Sequence, residues 1–215
     1  MKSELQKRIL SSIILIPLAI FFIIKGSYIF NLFLLLCLFI SIYEWYLISK
    51  KKIYNIPGII FLFFSFYTVY FLRNNFNEEL AFFFLVLIIC ISTDIGGYVF
   101  GKIFKGPRIS KISPNKTYSG LIGSFSLATI FALYFIDFYN IKNLDNHLIT
   151  LNNFLFIIII SFISQIGDFC ISYFKRVSKI KDTGNLIPGH GGILDRIDGM
   201  IFAFPSTYLI LKIIT

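Results

Sequence analysis

A glycine-rich loop at residues 181–192 contains the residue types that hold phosphates and divalent metals. Its glycines, including Gly191 and Gly192, let backbone N–H groups approach an anion closely. Asp195 and Asp198 follow, three residues apart, which predicts neighbouring positions on one helix face. Two carboxylates beside such a loop and several cations suit a divalent metal that carries phosphates. We predict that Asp195 binds this metal, whereas Asp198 caps the helix or supports the ligand.

His190 lies between glycines inside this charged segment and is one of only two histidines in the chain. A lone histidine in a loop is usually incidental. Its position between glycines in the cluster favours a role in binding or orienting a substrate to the same degree. Both interpretations, an incidental histidine and a substrate-binding one, therefore stay open.

The helix predicted before the loop carries a polar stripe along one face. At 100° per residue the stripe falls within an arc of about 100°, and the other faces are apolar. Ionised groups near the bilayer centre cost several kcal/mol, so the stripe must face a polar cavity inside a helix bundle. The alternative is a structural ion pair between Asp168 and Lys175. The stripe consists of Ser161, Ser164, Gln165, Asp168, Ser172, Lys175 and Lys179.

A second polar region lies between residues 92 and 120. Asp94 is near the inner end of a predicted span, where the spacing of Gly97 and Gly101 is typical of helix packing. Asp94 then needs a partner, for which Lys116 is a candidate. Lys116 and the hydroxyl residues Ser113 and Thr117 lie at a predicted turn before a helix. A cation and hydroxyls in this position suit the binding of phosphate oxygens.

The elements that position these residues are predicted to lie in a membrane. The 215 residues are 57% apolar and only 14% charged, with 27 Phe and 12 Tyr, and a soluble fold would expose much of that surface. The three cysteines lie in apolar stretches with no disulfide or zinc spacing. We therefore predict an all-α polytopic membrane protein with about seven transmembrane helices, within a range of six to nine. The predicted spans are 9–24, 28–48, 56–72, 80–101, 120–139, 151–171 and 197–214.

Charge in the loops predicts the orientation. The N-terminus and the second, fourth and sixth loops are rich in Lys and Arg, whereas the alternate loops are not. The positive-inside rule then puts the N-terminus in the cytoplasm. The net charge of +9 is attributed to loops that face anionic lipid and substrates, not to nucleic acid. Residues 1–91 are predicted to be N-terminal hydrophobic helices, and residues 92–215 a catalytic region of the same membrane domain.

The glycine-rich loop and the residues on either side of it, from Ser172 to Asp198, resemble the signature of the phosphatidate cytidylyltransferase (CDP-diacylglycerol synthase) family. The matching pattern fixes about a dozen residue types over residues 172–198, and the stretches at residues 92–120 and 165–168 also match. Three residues depart from the family pattern: Ile171 stands where an acidic residue is usual, and Tyr118-Ser119 stand where Trp-Glu is usual. The matching motifs are Ser172-x-x-Lys175-Arg176, Lys181-Asp182, Pro188-Gly189-His190-Gly191-Gly192-x-x-Asp195-Arg196-x-Asp198, Gln165-x-Gly167-Asp168, Asp94-x-Gly96 and Ser113-Pro114-x-Lys116-Thr117.

The resemblance implies an enzyme that transfers cytidylyl from CTP to phosphatidate, giving CDP-diacylglycerol and pyrophosphate with Mg²⁺. It also implies a multi-pass protein of the bacterial inner membrane that forms homodimers. By the same resemblance the metal ligands are Asp168 and Asp195. We expect the catalytic residues to be Asp168, Lys175, Asp195 and Arg196. The expected substrate-binding residues are Asp94, Ser113, Lys116, Thr117, Ser172, Arg176, Lys181, Asp182, His190, Gly191, Gly192 and Asp198.

Two other classes of protein share parts of this design. A secondary transporter would also carry intramembrane Asp and Lys, but its ionisable groups lie near the midplane and its halves are often repeated. A different lipid-directed enzyme, such as a CTP-dependent polyprenol kinase or a phospho-sugar transferase, would share the polar loops. A kinase would release CDP, whereas a synthase releases pyrophosphate.

Overall fold

The computed structural model describes residues 2–74, 79–109, 113, 116–139, 151–186 and 191–214. Within these ranges the chain is mainly helical, and an isolated bridge pairs Arg108 with Thr117. The helices are α1 (Lys2–Lys25), α2 (Ser27–Ser49), α3 (Asn55–Asn74), α4 (Glu79–Phe104), α5 (Tyr118–Tyr139), α6 (Leu151–Val177), α7 (Leu194–Ile197) and α8 (Met200–Ile214).

The seven predicted spans coincide with the seven long helices, and the all-α prediction is confirmed. Five of them, α2 to α6, are long and apolar enough to cross a membrane. The apolar parts of the other two, Ile13–Lys25 and Met200–Ile213, are shorter. The helices thus have the character of a polytopic membrane protein. A seventh crossing and the cytoplasmic N-terminus stay predictions.

The chain packs as two compact units, each built from two segments. Unit 1 comprises Met1–Tyr70 and Phe174–Ile197, and unit 2 comprises Phe71–Tyr173 and Asp198–Thr215. Most of α6 therefore belongs to unit 2 and its last turn to unit 1. The sequence-based division at residue 91 stays a prediction about function, since the packing follows other boundaries.

In unit 1, the single tryptophan fixes the end of α2. The Trp45 Nε1–H donates to the carbonyl oxygen of Asn55 at 3.0 Å, at the start of α3. The ring packs edge-on against Phe174 at a centroid distance of 5.0 Å, and it leaves room only for a glycine at position 58. The Ser178 hydroxyl donates to the Ile48 carbonyl at 2.6 Å. These contacts hold the C-terminal turns of α2 against the last turn of α6.

In unit 2, glycines allow α4 and α5 to pack backbone to backbone. A Cβ at Gly96 would collide with the backbone of Gly123, and a Cβ at Gly120 would lie 2.7 Å from the carbonyl oxygen of Gly97. The predicted packing role of the glycines on α4 is confirmed. Asp94 is exposed on α4.

The last predicted span is interrupted at its start. Leu194–Ile197 forms the short helix α7, residues 198 and 199 form a turn, and α8 begins at Met200. The prediction that Asp195 and Asp198 share one continuous helix face is therefore wrong. At the break, a Cβ at Gly199 would collide with the Ser164 hydroxyl, and the Gly199 N–H donates to Asp198 Oδ1 at 2.9 Å. A capping role of Asp198 stays a prediction.

Candidate active site

Unit 1 contains an ion pair between Lys175 at the end of α6 and Asp195 in α7. Lys175 Nζ lies 2.8 Å from Asp195 Oδ1, and the two side chains are 11% and 4% exposed. Because this pair is enclosed, breaking it is expected to cost more stability than breaking an exposed ion pair. The pair joins two residues 20 positions apart and closes the loop between them at its base.

The other oxygen of Asp195 accepts hydrogen bonds from the loop itself. The Thr183 N–H donates to Oδ2 at 2.7 Å, the Gly192 N–H at 3.0 Å and the Thr183 hydroxyl at 3.0 Å. Burial disfavours the charged form, but the bonds from Lys175, Gly192 and Thr183 outweigh it and lower the pKa of Asp195. Asp195 is therefore ionised at neutral pH, with donors of its own chain on both oxygens.

Glu44 is a functional candidate that the sequence analysis missed. It is 2% exposed and accepts from the Ile193 N–H at 3.0 Å, the Leu194 N–H at 2.8 Å and the Thr183 hydroxyl at 2.8 Å. An acid in an apolar helix long enough to cross a membrane is a functional hypothesis by default. Glu44 is the only acid in α2, and that isolation was the signal available in the sequence.

The loop glycines let these two carboxylates approach the backbone. A Cβ at Gly192 would run into Glu44 and Thr183, and a Cβ at Gly184 would lie 2.8 Å from Glu44 Oε1. Gly191 has a positive φ of 84°, which favours glycine, and its Cβ would lie 2.7 Å from Asp195 Oδ2. The glycines do admit anions, as predicted, but the anions in this structure are side chains of the same chain. Contact of Gly191 and Gly192 with a substrate stays a prediction.

We call Glu44, Lys175, Thr183, Gly192 and Asp195 the enclosed cluster. Three further cations of unit 1, Arg176, Lys181 and Arg196, are exposed, as is Asp182. Arg176 bonds the Ile180 carbonyl at 3.3 Å, which leaves most of its guanidinium donors for other partners. His190 lies outside the described residues, so its role stays a prediction.

Unit 2 holds a second group of predicted site residues, Lys116, Gln165, Asp168 and Ser172, which we call the open cluster. Lys116 Nζ lies 2.6 Å from Asp168 Oδ2 and 3.4 Å from the Gln165 carbonyl oxygen. The Ser172 hydroxyl donates to Asp168 Oδ1 at 3.3 Å. The Lys116 and Asp168 side chains are 26% and 30% exposed, so water and ligands reach this ion pair.

The serines of the polar stripe on α6 are enclosed, and the polar cavity that the stripe is expected to face stays a prediction. Ser161 and Ser164 are buried, and the Ser161 hydroxyl lies 2.7 Å from the Thr93 hydroxyl within unit 2. The inclusion of Lys179 is wrong, because α6 ends at Val177. Lys179 takes a positive φ of 56°, and the Ile180 N–H bonds back to the Lys175 carbonyl at 3.0 Å. This pattern is typical of a helix C-terminal cap.

The predicted residues before α5 form its start. Thr117 Oγ1 accepts the Gly120 N–H at 3.1 Å, which makes Thr117 the N-terminal cap of the helix. The Lys116 N–H bonds the Ser113 carbonyl at 3.1 Å in the turn before it. The expected pairing of Asp94 with Lys116 stays a prediction.

The donor set can be compared with what Mg²⁺ requires. Among the described residues, no group of three His, Cys, Asp or Glu side chains is placed to hold a metal. Mg²⁺ commonly uses only one or two carboxylates and takes its other ligands from substrate phosphates and water. The half-exposed Asp168 fits that role, whereas Asp195 could accept an ion only by exchanging donors of its own chain. The predicted ligand pair Asp168 and Asp195 lies in two different units and stays a prediction.

Comparison with known proteins decides the family. The model of the "Cytidylyltransferase family" matches residues 56–214, about three quarters of the chain. The chain belongs to this cytidylyltransferase family. A phosphatidate cytidylyltransferase of Rickettsia conorii is 35% identical over 205 residues, which cover 93% of this chain and 88% of the relative. The corresponding Rickettsia bellii protein is 36% identical over 216 residues, which cover 97% and 91%.

Another relative of this cytidylyltransferase matches a shorter part of the chain. The phosphatidate cytidylyltransferase of Bacillus subtilis is 35% identical over 143 residues, covering 66% of this chain and 51% of the relative. The resemblance noted in the signature residues is thus confirmed at the level of the family. Glu44 lies before the segment that the family model matches.

Proposed function

We propose that this protein transfers the cytidylyl group of CTP to phosphatidate, yielding CDP-diacylglycerol and pyrophosphate. The observation that carries the proposal is the 35–36% identity to phosphatidate cytidylyltransferases over more than nine tenths of the chain. The protein is accordingly a nucleotidyltransferase. Its long apolar helices place the enzyme in the bilayer that contains the lipid substrate.

The reaction needs charge neutralisation more than proton removal. A phosphomonoester has a second pKa near 6, so at neutral pH the phosphatidate oxygen is largely ionised and ready to attack the α-phosphorus of CTP. The pyrophosphate leaves from the opposite side as that bond forms. The enzyme must bring two anions together in line, a task of positioning and electrostatics.

The described residues supply cations for this task. In unit 1 the exposed Arg176, Lys181 and Arg196 are free to bind phosphate oxygens, while Lys175 is held by Asp195. In unit 2 Lys116 is half-exposed beside Asp168. We propose Asp168 as a Mg²⁺ ligand. Asp195, the second ligand that the resemblance implies, would first have to exchange the N–H donors that it binds in this structure. A bound Mg²⁺ would neutralise phosphate charge on CTP and the leaving pyrophosphate.

The setting of the reaction belongs to the same proposal. Basic loops alternate with neutral ones, which favours seven crossings with the N-terminus and the polar loops in the cytoplasm, where CTP is found. We propose the bacterial cytoplasmic (inner) membrane as its location, which the bacterial origin of the relatives supports. Homodimerisation, implied by the resemblance to the family, is part of the proposal and is measured by mass in detergent.

Product analysis tests the proposal. Detergent-purified protein is given phosphatidate, Mg²⁺ and CTP labelled in the cytidine. We expect label in the lipid phase with one pyrophosphate released per lipid formed, and no turnover after EDTA. Release of CDP with phosphorylated lipid would instead show a kinase. Folded protein that leaves phosphatidate and CTP unchanged would contradict the proposal.

A further inference from the structure

We infer that Glu44 is a positioning residue, which holds Thr183 and the backbone of Ile193 and Leu194 in the arrangement that the reaction requires. The inference rests on the proposed function for the reaction itself. It extends the site to a residue of α2, outside both the signature motifs and the segment that the family model matches.

Glu44 accepts hydrogen bonds from three donors that lie far away along the chain. Its carboxylate binds the consecutive N–H groups of Ile193 and Leu194 and the hydroxyl of Thr183, at 2.8 to 3.0 Å. These donors lie 139 to 150 residues away along the chain. Charge-assisted bonds of this kind are stronger than neutral ones and fix direction as well as distance.

The Glu44 carboxylate is enclosed by the rest of the chain. Glu44 is 2% exposed and lies in α2, where a charge is costly unless it is fully hydrogen-bonded. The loop fits closely around it, because side chains at Gly184 and Gly192 would approach or collide with its oxygens. Neither water nor a substrate can replace these contacts without reshaping the loop.

Thr183 links Glu44 to the predicted catalytic residues. Its hydroxyl lies 2.8 Å from Glu44 Oε2 and 3.0 Å from Asp195 Oδ2, so its single proton is shared between the two carboxylates. Asp195 in turn orients Lys175 at 2.8 Å. Glu44 therefore acts on the site through Thr183, the backbone before Asp195 and Lys175, without a substrate contact of its own.

α2 is itself anchored where Glu44 emerges. The neighbouring Trp45 bonds the Asn55 carbonyl, and the Ile48 carbonyl accepts the Ser178 hydroxyl. The base that carries Glu44 is thus fixed to α3 and to the end of α6. Glu44 connects this fixed base to Thr183 and to the backbone of Ile193 and Leu194, next to glycines that by themselves restrict the backbone little.

Three variants test this role: Glu44→Gln, Glu44→Asp and the control Ser41→Ala. Gln keeps the shape but turns an NH₂ group toward an N–H or hydroxyl donor, whereas Asp keeps the charge and is one methylene shorter. Ser41 is equally buried one turn earlier in α2, and its hydroxyl donates to the Cys37 carbonyl of its own helix at 2.7 Å.

Hydrogen exchange of the peptide at residues 191–197, measured in intact protein, is the first readout. We expect faster exchange in Glu44→Gln than in Ser41→Ala, with Glu44→Asp between them. Equal exchange in Glu44→Gln and Ser41→Ala would overturn the inference, whether or not the protein turns over. This readout separates the inference from the proposed function, which fails only if wild-type protein makes no CDP-diacylglycerol.

Steady-state kinetics are the second readout. Losing charge-assisted bonds of about 1.5–3 kcal/mol corresponds to a fall of about 10- to 100-fold in kcat/KM for CTP in Glu44→Gln. Partial recovery is expected in Glu44→Asp and a change within about twofold in Ser41→Ala. Kinetic constants in Glu44→Gln equal to those of Ser41→Ala would show that Glu44 only supports the fold and would refute the positioning role. If Glu44→Gln does not fold, the comparison of Glu44→Asp with Ser41→Ala decides in the same way.

Discussion

The enclosed cluster of unit 1 and the open cluster of unit 2 are both built on a lysine–aspartate pair, yet they are made differently. In the enclosed cluster the Lys175 and Asp195 side chains are 11% and 4% exposed, and further donors saturate the carboxylate. In the open cluster the Lys116 and Asp168 side chains are 26% and 30% exposed, and the Ser172 hydroxyl donates to Asp168 at 3.3 Å.

This difference separates two tasks within one enzyme. Carboxylates that are saturated by their own chain shape a loop, because their bonds are costly to exchange. A half-exposed pair can exchange partners at little cost, which is what a metal or a phosphate needs. We therefore assign the positioning of the glycine loop to the enclosed cluster and ligand contact to the open cluster, together with the exposed cations of unit 1.

The largest expected effect is on turnover in Asp168→Asn. If Asp168 is the carboxylate that takes Mg²⁺, its neutralisation removes a ligand and kcat/KM falls about 100-fold or more, as for loss of other transition-state charge stabilisers. Turnover is measured over a Mg²⁺ titration, with Ser172→Ala as the control that removes only the 3.3 Å bond to the same carboxylate. Near-normal turnover in folded Asp168→Asn would show that the open cluster does not bind the metal.

A smaller effect is expected for Gly192→Ala. The added Cβ would press on Glu44 and Thr183, and overpacking of this kind costs about 1–3 kcal/mol. We expect kcat/KM to fall about tenfold, since 1.36 kcal/mol is one factor of ten. Gly106→Ala is the matched control, because its Cβ would meet chiefly the Ser119 side chain, at 3.0 to 3.3 Å. Equal effects of the two substitutions would contradict a tightly fitted loop.

The smallest expected effect concerns acid. The pKa of Asp195 is lowered below its ordinary value of 3.8, so its ionised form stabilises the fold fully above pH 3.8. That contribution is lost as the pH falls through the lower pKa of the folded protein. The difference in Tm between wild type and Asp195→Asn should therefore be constant above pH 4 and narrow below 3.8. A difference that stays constant at low pH would show that the charge of Asp195 contributes no stability.

Much of this arrangement follows from the sequence, and the rest depends on contacts far apart in the chain. The apolar runs predict the seven long helices, and the signature residues lead to Lys175, Asp195 and Asp168. Glu44 was not found because its partners lie some 140 to 150 residues away and no periodic pattern marks them. The break at Gly199 was missed for the same reason, since it depends on the approach of Ser164.

The most direct test of the division between the two clusters is the thermal stability of Asp195→Asn and Asp168→Asn in the same detergent, without substrate. Asp195→Asn leaves Lys175 buried without its counter-charge and turns an NH₂ group toward backbone donors, a change that costs about 3–5 kcal/mol. Asp168→Asn frees a lysine that water already reaches and costs about 1 kcal/mol or less. We predict a fall in Tm of several degrees for Asp195→Asn and little change for Asp168→Asn. Equal falls, or a larger one for Asp168→Asn, would contradict the account.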